Sequence, residues 1–123
     1  MKAKSEIKWL EEPEPQDYPA AASYLSLLFE TKRVRGIVSE LKAAPVVQFK
    51  SKDIFRASGL VLLGTNNSHV EKDRNKIRAG QKLSPILLVR YPELGKVLIA
   101  DGYHRLCAVY SFNEDAVIPC KIV

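Results

Sequence analysis

Apolar and polar positions divide the chain into short, sharply bounded elements. ILLVRY (86–91) and KVLIAD (96–101) are apolar runs separated by PELG, which reads as a β-hairpin. VVQF (46–49) reads as a short strand, and VIPCKIV (117–123) as the closing one. Helical spacing governs the rest. Val34, Ile37, Val38 and Leu41 follow the i, i+3, i+4, i+7 rule within VRGIVSELKAA, and Pro45 stops that helix. Tyr24, Leu25, Leu28 and Phe29 form the apolar stripe of an earlier helix, AAASYLSLLFET. Pro19 opens it, because the first helical position does not need the missing N–H. The two form either a hairpin or one bent helix.

SKDIFRAS (51–58) reads as a short helix or turn closed by Gly59, and the apolar LVLL (60–63) is broken at once by GTNNS. Asn67 or Ser68 caps a further helix, HVEKDRNKIRAG, with Gly80 at its end. GYHRLCAVYSF (102–112) is the last helix. Two helices followed by about four short strands with helices between them predict one α/β or α+β domain. Residues 1–18, with the proline- and acid-rich EEPEPQD, read as a flexible arm that Trp9 can pin to the body. Residues 19–44 read as a helical extension and 45–123 as the α/β unit.

Composition narrows the class without naming a function. The 123 residues are 46% apolar and 27% charged, as in ordinary globular domains. With no membrane-span-length apolar run and no signal peptide, a cytoplasmic protein without a membrane partner is expected. Cys107 and Cys120 are expected as two buried thiols, and no Cys/His cluster has zinc spacing. The net charge of +5 is uneven. Residues 1–18 hold three lysines against five carboxylates, a net of −2, so +7 falls on the remainder. That balance suits an anionic partner, a nucleotide or a nucleic acid. HVEKDRNKIRAGQK, with Lys72, Arg74, Lys76, Arg78 and Lys82, reads either as a phosphate track or, with Glu71 and Asp73, as a solvated face of i, i+4 pairs.

The candidate site is DGYHR (101–105) at the start of the last helix. A helix N-terminus carries unpaired N–H groups and about half a positive charge. Asp101 suits it as a cap, whereas His104 and Arg105 add like charge there. A bound phosphate would resolve the conflict by accepting from the N–H groups and Arg105 together, and Gly102 would let it approach the backbone. In the plainer alternative Arg105 pairs with Asp101 and His104 is a core histidine.

The tail LSPILLVRYPELGKVLIADGYHRLCAVYSFNEDAVIPCKIV resembles the ParB/sulfiredoxin superfamily, in which a hairpin leads into Gly-x-[His/Arg]-Arg and a closing strand. The resemblance covers about residues 45–123 and implies a small mixed sheet with helices and a nucleotide site at the motif. Sulfiredoxins carry a nucleophilic cysteine where this chain has Tyr103, a phenol with a pKa of about 10, so that chemistry is not expected. ParB partition proteins bind CTP and carry DNA-binding and dimerisation domains beyond the equivalent of Val123, so partition activity is not expected. Free-serine kinases carry Asp-Gly-His-His-Arg and differ from Asp101–Arg105 only at Tyr103.

The resemblance to those kinases implies phosphoryl transfer from ATP to a small hydroxyl compound, with ADP or CTP as other candidate nucleotides and Mg²⁺ as cofactor. It implies that Gly102, Tyr103, His104 and Arg105 bind phosphates, that Asp101 or His104 holds Mg²⁺ or moves a proton, and that Asp53 is a further catalytic carboxylate. It brings Thr65, Asn66, Asn67 and Ser68 near the nucleotide. A small-molecule kinase is preferred to a nuclease, which would need clustered carboxylates. The alternative is a non-catalytic regulatory or nucleic-acid-associated module.

Overall fold

The unbroken apolar runs within 86–91 and 96–101 set the frame, because their alternate side chains are buried on opposite faces of one sheet. The computed structural model describes residues 6–123. In chain order the elements are β1 (Lys8–Trp9), α1 (Asp17–Leu25), α2 (Thr31–Ala43), β2 (Val47–Lys50) and α3 (Ser51–Ser58). There follow α4 (Ser68–Arg78), β3 (Lys82–Leu83), β4 (Ile86–Tyr91), β5 (Lys96–Asp101), α5 (Tyr103–Phe112) and β6 (Val117–Ile122). The architecture is mixed α+β, with five helices and two sheets among the described residues.

The main sheet has the order β2-β6-β4-β5, with β6 parallel to β4 and the other pairs antiparallel. Ile86, Leu88, Val97, Ile99, Ile118 and Cys120 point to one face and pack with Ile54 of α3, Val70 and Ile77 of α4 and Leu106 and Val109 of α5. Leu87, Val89 and Ala100 point to the other face and pack with Ala21, Leu25, Val34, Ile37 and Leu41 of α1 and α2. The helices of 19–44 are therefore one of three layers and share a core with the 45–123 unit.

Several local expectations meet their geometry directly. Gly59 closes α3 at φ 67°, Asn67 caps α4, and β4 and β5 have the expected bounds. Others shift. The first helix starts at Asp17, two residues before Pro19, and ends at Leu25; a proline at the third position still forfeits no intrahelical bond. It is separate from α2, so the bent single helix does not occur. The described part of the 1–18 arm lies against the body; residues 1–5 fall outside the described residues. Lys8 and Trp9 run parallel to Lys82 and Leu83 as a second, two-stranded sheet, and Pro13 and Asp17 are buried. Lys121, buried on the α1/α2 side, holds this segment through Glu12 at 3.1 Å and donates to the Lys42 carbonyl at 2.9 Å. Cys107 and Cys120 are both buried and unpaired, as expected. No helix among the described residues is long and apolar enough to cross a membrane.

Candidate functional site

The end of β5 is bent at the point where the motif begins. Leu87 pairs with Asp101 but Leu88 pairs with Ile99, so Ala100 is an extra residue, a β-bulge. Such bulges re-aim the next side chain. Here the bulge puts Asp101 opposite Leu87, on the α1 side of the sheet, rather than on the Ile99 side that strict alternation requires.

Gly102 then turns the chain into α5 at φ 110°, a value that disfavours any side chain. A Cβ there would lie 2.8 Å from Ile86 Cγ1 and 3.0 Å from Arg105 Nη2. The missing side chain thus makes room for Ile86 and Arg105. Asp101 is not the helix cap. The first turn of α5 has no side-chain cap, and the Asp101 carboxylate accepts from Arg105 Nη2 at 2.8 Å. Arg105 Nη2 also donates to the Pro85 carbonyl at 3.3 Å, while Arg105 Nε is buried without a hydrogen-bond partner among the described residues. An orphaned buried donor costs stability unless something accepts from it, which marks this spot for an anion or water.

A cleft of about 180 Å³ opens at this uncapped helix end. Asp101–Arg105 form one wall, and His69, Lys72, Asp73 and Lys76 of α4 form the other. The rings of His69 and His104 lie 4.9 Å apart. Lys76 is 3.9 Å from Asp73, and Lys72 is the cleft lysine with no ion pair among the described residues. Burial, then the neighbouring His69, hold His104 below the usual histidine range, with Asp73 opposing. Burial raises Asp101 against the pull of Arg105, and Asp17 adds to the rise. Burial likewise raises Tyr103, whose hydroxyl donates to the Val61 carbonyl.

The other expected site residues are not brought here. Asp53 pairs with Arg56 at 3.1 Å and lines a different cavity, so it does not join Asp101 as a catalytic carboxylate. Thr65, Asn66, Asn67 and Ser68 do not line the cleft. Asn67 acts indirectly: its Oδ1 accepts from the N–H groups of His69 and Val70 at 3.0 and 3.2 Å and fixes the start of α4. Sequence reasoning missed Asp17 and Ser84. The buried Asp17 carboxylate accepts from the Ser84 hydroxyl and from the Glu14 N–H, the latter at 2.9 Å. No local pattern announces a contact across 67 positions.

The donor set fits a phosphate better than a bare metal ion. Among the described residues no three His, Cys, Asp or Glu side chains gather as metal ligands, and Asp101 is engaged by Arg105. Mg²⁺ is often held by one or two carboxylates together with substrate phosphates and water, so Asp101 would hold it only alongside a phosphate. The chain matches no protein-family model, no curated protein and no solved structure.

Proposed function

We propose that the cleft between α4 and α5 binds the phosphate group of a nucleotide or another small phosphorylated ligand. The observation that carries this reading is the uncapped N-terminus of α5 opening on a cleft that also presents Lys72, Lys76 and two histidines. Unpaired N–H groups and the helix dipole favour an anion there, and lysine ammonium groups add charge-assisted donors. At about 180 Å³ the cleft falls below the usual range of small-molecule sites, which suits a phosphate group better than a whole nucleotide. A nucleoside would therefore extend out of the cleft.

Phosphoryl transfer to a small hydroxyl compound is the chemistry this arrangement suits best, in keeping with the resemblance to the free-serine kinases. His104 is held toward its neutral form and so is available to accept a hydroxyl proton. The Asp101–Arg105 pair positions the guanidinium beside the helix end. Mg²⁺ brought with the nucleotide would supply further neutralisation of phosphate charge. The nucleic-acid alternative draws less support. Arg74 bonds Glu71 at 3.1 Å and stacks on Phe112 at 4.4 Å, and Arg78 reaches Glu71 and the same ring, so α4 does not offer a continuous row of unengaged cations.

The test is a thermal-shift titration of ATP, ADP, CTP and GTP, with and without Mg²⁺. It compares the wild type with Lys72→Gln/Lys76→Gln, whose partly exposed changes spare the Asp101–Arg105 pair. A ligand at a hundredfold excess over Kd should stabilise the wild type by about 2.7 kcal/mol. The double variant should lose most of that shift. No shift with any nucleotide or with inorganic phosphate would overturn the reading.

A further inference from the structure

A second cavity lies away from this site. It encloses about 450 Å³ between α3 and the turn end of the β4–β5 hairpin, within the range of small-molecule sites. Its walls are Phe49, Ile54, Ala57, Leu88, Val97 and Ile122. It shares no residue with the α4–α5 cleft. Lys96 and Asp101 begin and end β5, so the two sites are separated by about 16 Å of strand.

The rim is charged, and its sign is decided by pairing. Asp53 is neutralised by Arg56 at 3.1 Å, which leaves Arg90 and Lys96 as the dominant charges. Lys96 lies over Gly59 at the C-terminal end of α3, where the helix dipole attracts a cation and occupies part of its charge. The Arg90 guanidinium makes no ion pair or side-chain hydrogen bond among the described residues, although its N–H donates to the Val123 carbonyl at 2.7 Å. Arg90 occupies the position on β4 where the alternation Ile86, Leu88 calls for a third buried apolar side chain, and it pairs across the hairpin with Val97. An arginine there ends the apolar face and leaves the cavity open below it. The combination is an apolar chamber with a guanidinium at its mouth.

We infer that this cavity binds a small molecule with a flat or branched apolar body and a single carboxylate, the body seated against Ile54, Leu88, Val97 and Ile122 and the carboxylate on Arg90. Arginine forms bidentate hydrogen bonds with carboxylates, and the apolar walls exclude a highly charged body such as a nucleoside triphosphate.

The probe is 2-naphthoate, with the uncharged 2-naphthamide as its control, titrated into the full chain and followed by methyl NMR. Naphthoate should saturate and shift the methyls of Ile54, Leu88, Val97 and Ile122. Both the amide and the Arg90→Gln variant should weaken binding by about fivefold, the effect of one exposed ion pair. Arg90 is exposed, so this variant keeps the fold; Ala57→Phe, which fills the chamber, should abolish binding of acid and amide alike. Absence of saturable shifts, equal binding of acid and amide, or shifts centred elsewhere would overturn the inference. So would sedimentation showing that a second copy of the chain occupies the cavity.

Discussion

The Asp101 carboxylate meets the Arg105 guanidinium at 2.8 Å across one helical turn, with both side chains more than four-fifths buried. The pair links the bulged end of β5 to the first turn of α5 and sets one wall of the cleft. Removing the carboxylate leaves a guanidinium in a poorly solvated place, with only the Pro85 carbonyl as acceptor. Asp101→Ala should therefore destabilise the fold by about 2–3 kcal/mol, less than for a fully buried pair. Urea unfolding of wild type and variant measures this. If Arg105 instead turns to a bound phosphate, saturating ligand should recover part of the loss.

Gly102 tests the backbone of the same corner. Alanine there meets a φ of 110° and places Cβ 2.8 Å from Ile86 Cγ1. Strain and overpacking together should cost about 2–4 kcal/mol. Gly36, around which a Cβ meets nothing within 4 Å in the middle of α2, is the matched control. Gly36→Ala should stabilise by about 1 kcal/mol, because alanine is the better helix former. Thermal melts of the two variants should move in opposite directions.

These two glycines also show what could be read before folding and what could not. The hairpin strands, the α3 stop at Gly59 and the Asn67 cap are local: alternation, a left-handed φ and a side chain two or three residues from its N–H groups suffice. Cleft residues Asp101–Arg105 were visible for the same reason, as a polar break between strand and helix. The bulge at Ala100 was not visible, because the continuous apolar run of KVLIAD has no alternation for it to break and only the pairing with β4 exposes the shift. Nor was the β1–β3 pairing, in which Lys8 and Trp9 meet Lys82 and Leu83 from far along the chain. Asp53 illustrates the opposite error: a carboxylate in a suitable place along the chain is carried to another cavity by α3.

His104 should make stability depend on pH. Its folded-state pKa lies below the 6.5 of an unperturbed histidine, chiefly through burial and the nearby His69. The neutral form is favoured in the folded chain. The resulting stabilisation is fully present above pH 6.5 and is lost as pH falls through the folded-state value. Urea midpoints should thus fall on acidification below pH 6.5, and His104→Gln should flatten that part of the curve. A bound phosphate should reverse the shift and raise the His104 pKa, which an NMR titration of its ring protons reads directly.

The cysteines should be inert in the folded protein. Burial pushes the Cys120 thiol up to about 12 and raises Cys107 as well. Thiolate is the reactive form, and neither residue is accessible. A colorimetric thiol reagent at pH 7.5 should find none in native protein and two per chain after denaturation. Rapid native labelling would mean that α5 or β6 opens readily.

Asp17 should govern how residues 6–16 are held. Its carboxylate is buried at the start of α1, bonded to the Ser84 hydroxyl and the Glu14 N–H, and close enough to Asp101 to raise that residue's pKa. Asp17→Ala leaves the Glu14 N–H with only the Ser84 hydroxyl at 3.1 Å and the hydroxyl itself without its acceptor. The loss should be about 1–3 kcal/mol, the usual cost of unsatisfied buried groups. Trp9, the sole tryptophan, pairs with Leu83 next to Ser84 and reports the change. Its emission should shift to the red and its quenching by acrylamide should rise, while the far-ultraviolet helix signal is retained. Asp17→Asn separates charge from packing. It keeps the shape but removes the repulsion, so the Asp101 pKa should fall toward 3.8. Because a raised carboxylate pKa penalises the folded state above that value and not below 3.8, Asp17→Asn should lessen the penalty at neutral pH. Carboxyl-carbon NMR titration of Asp101 in both proteins decides whether the two acids are coupled as their placement requires.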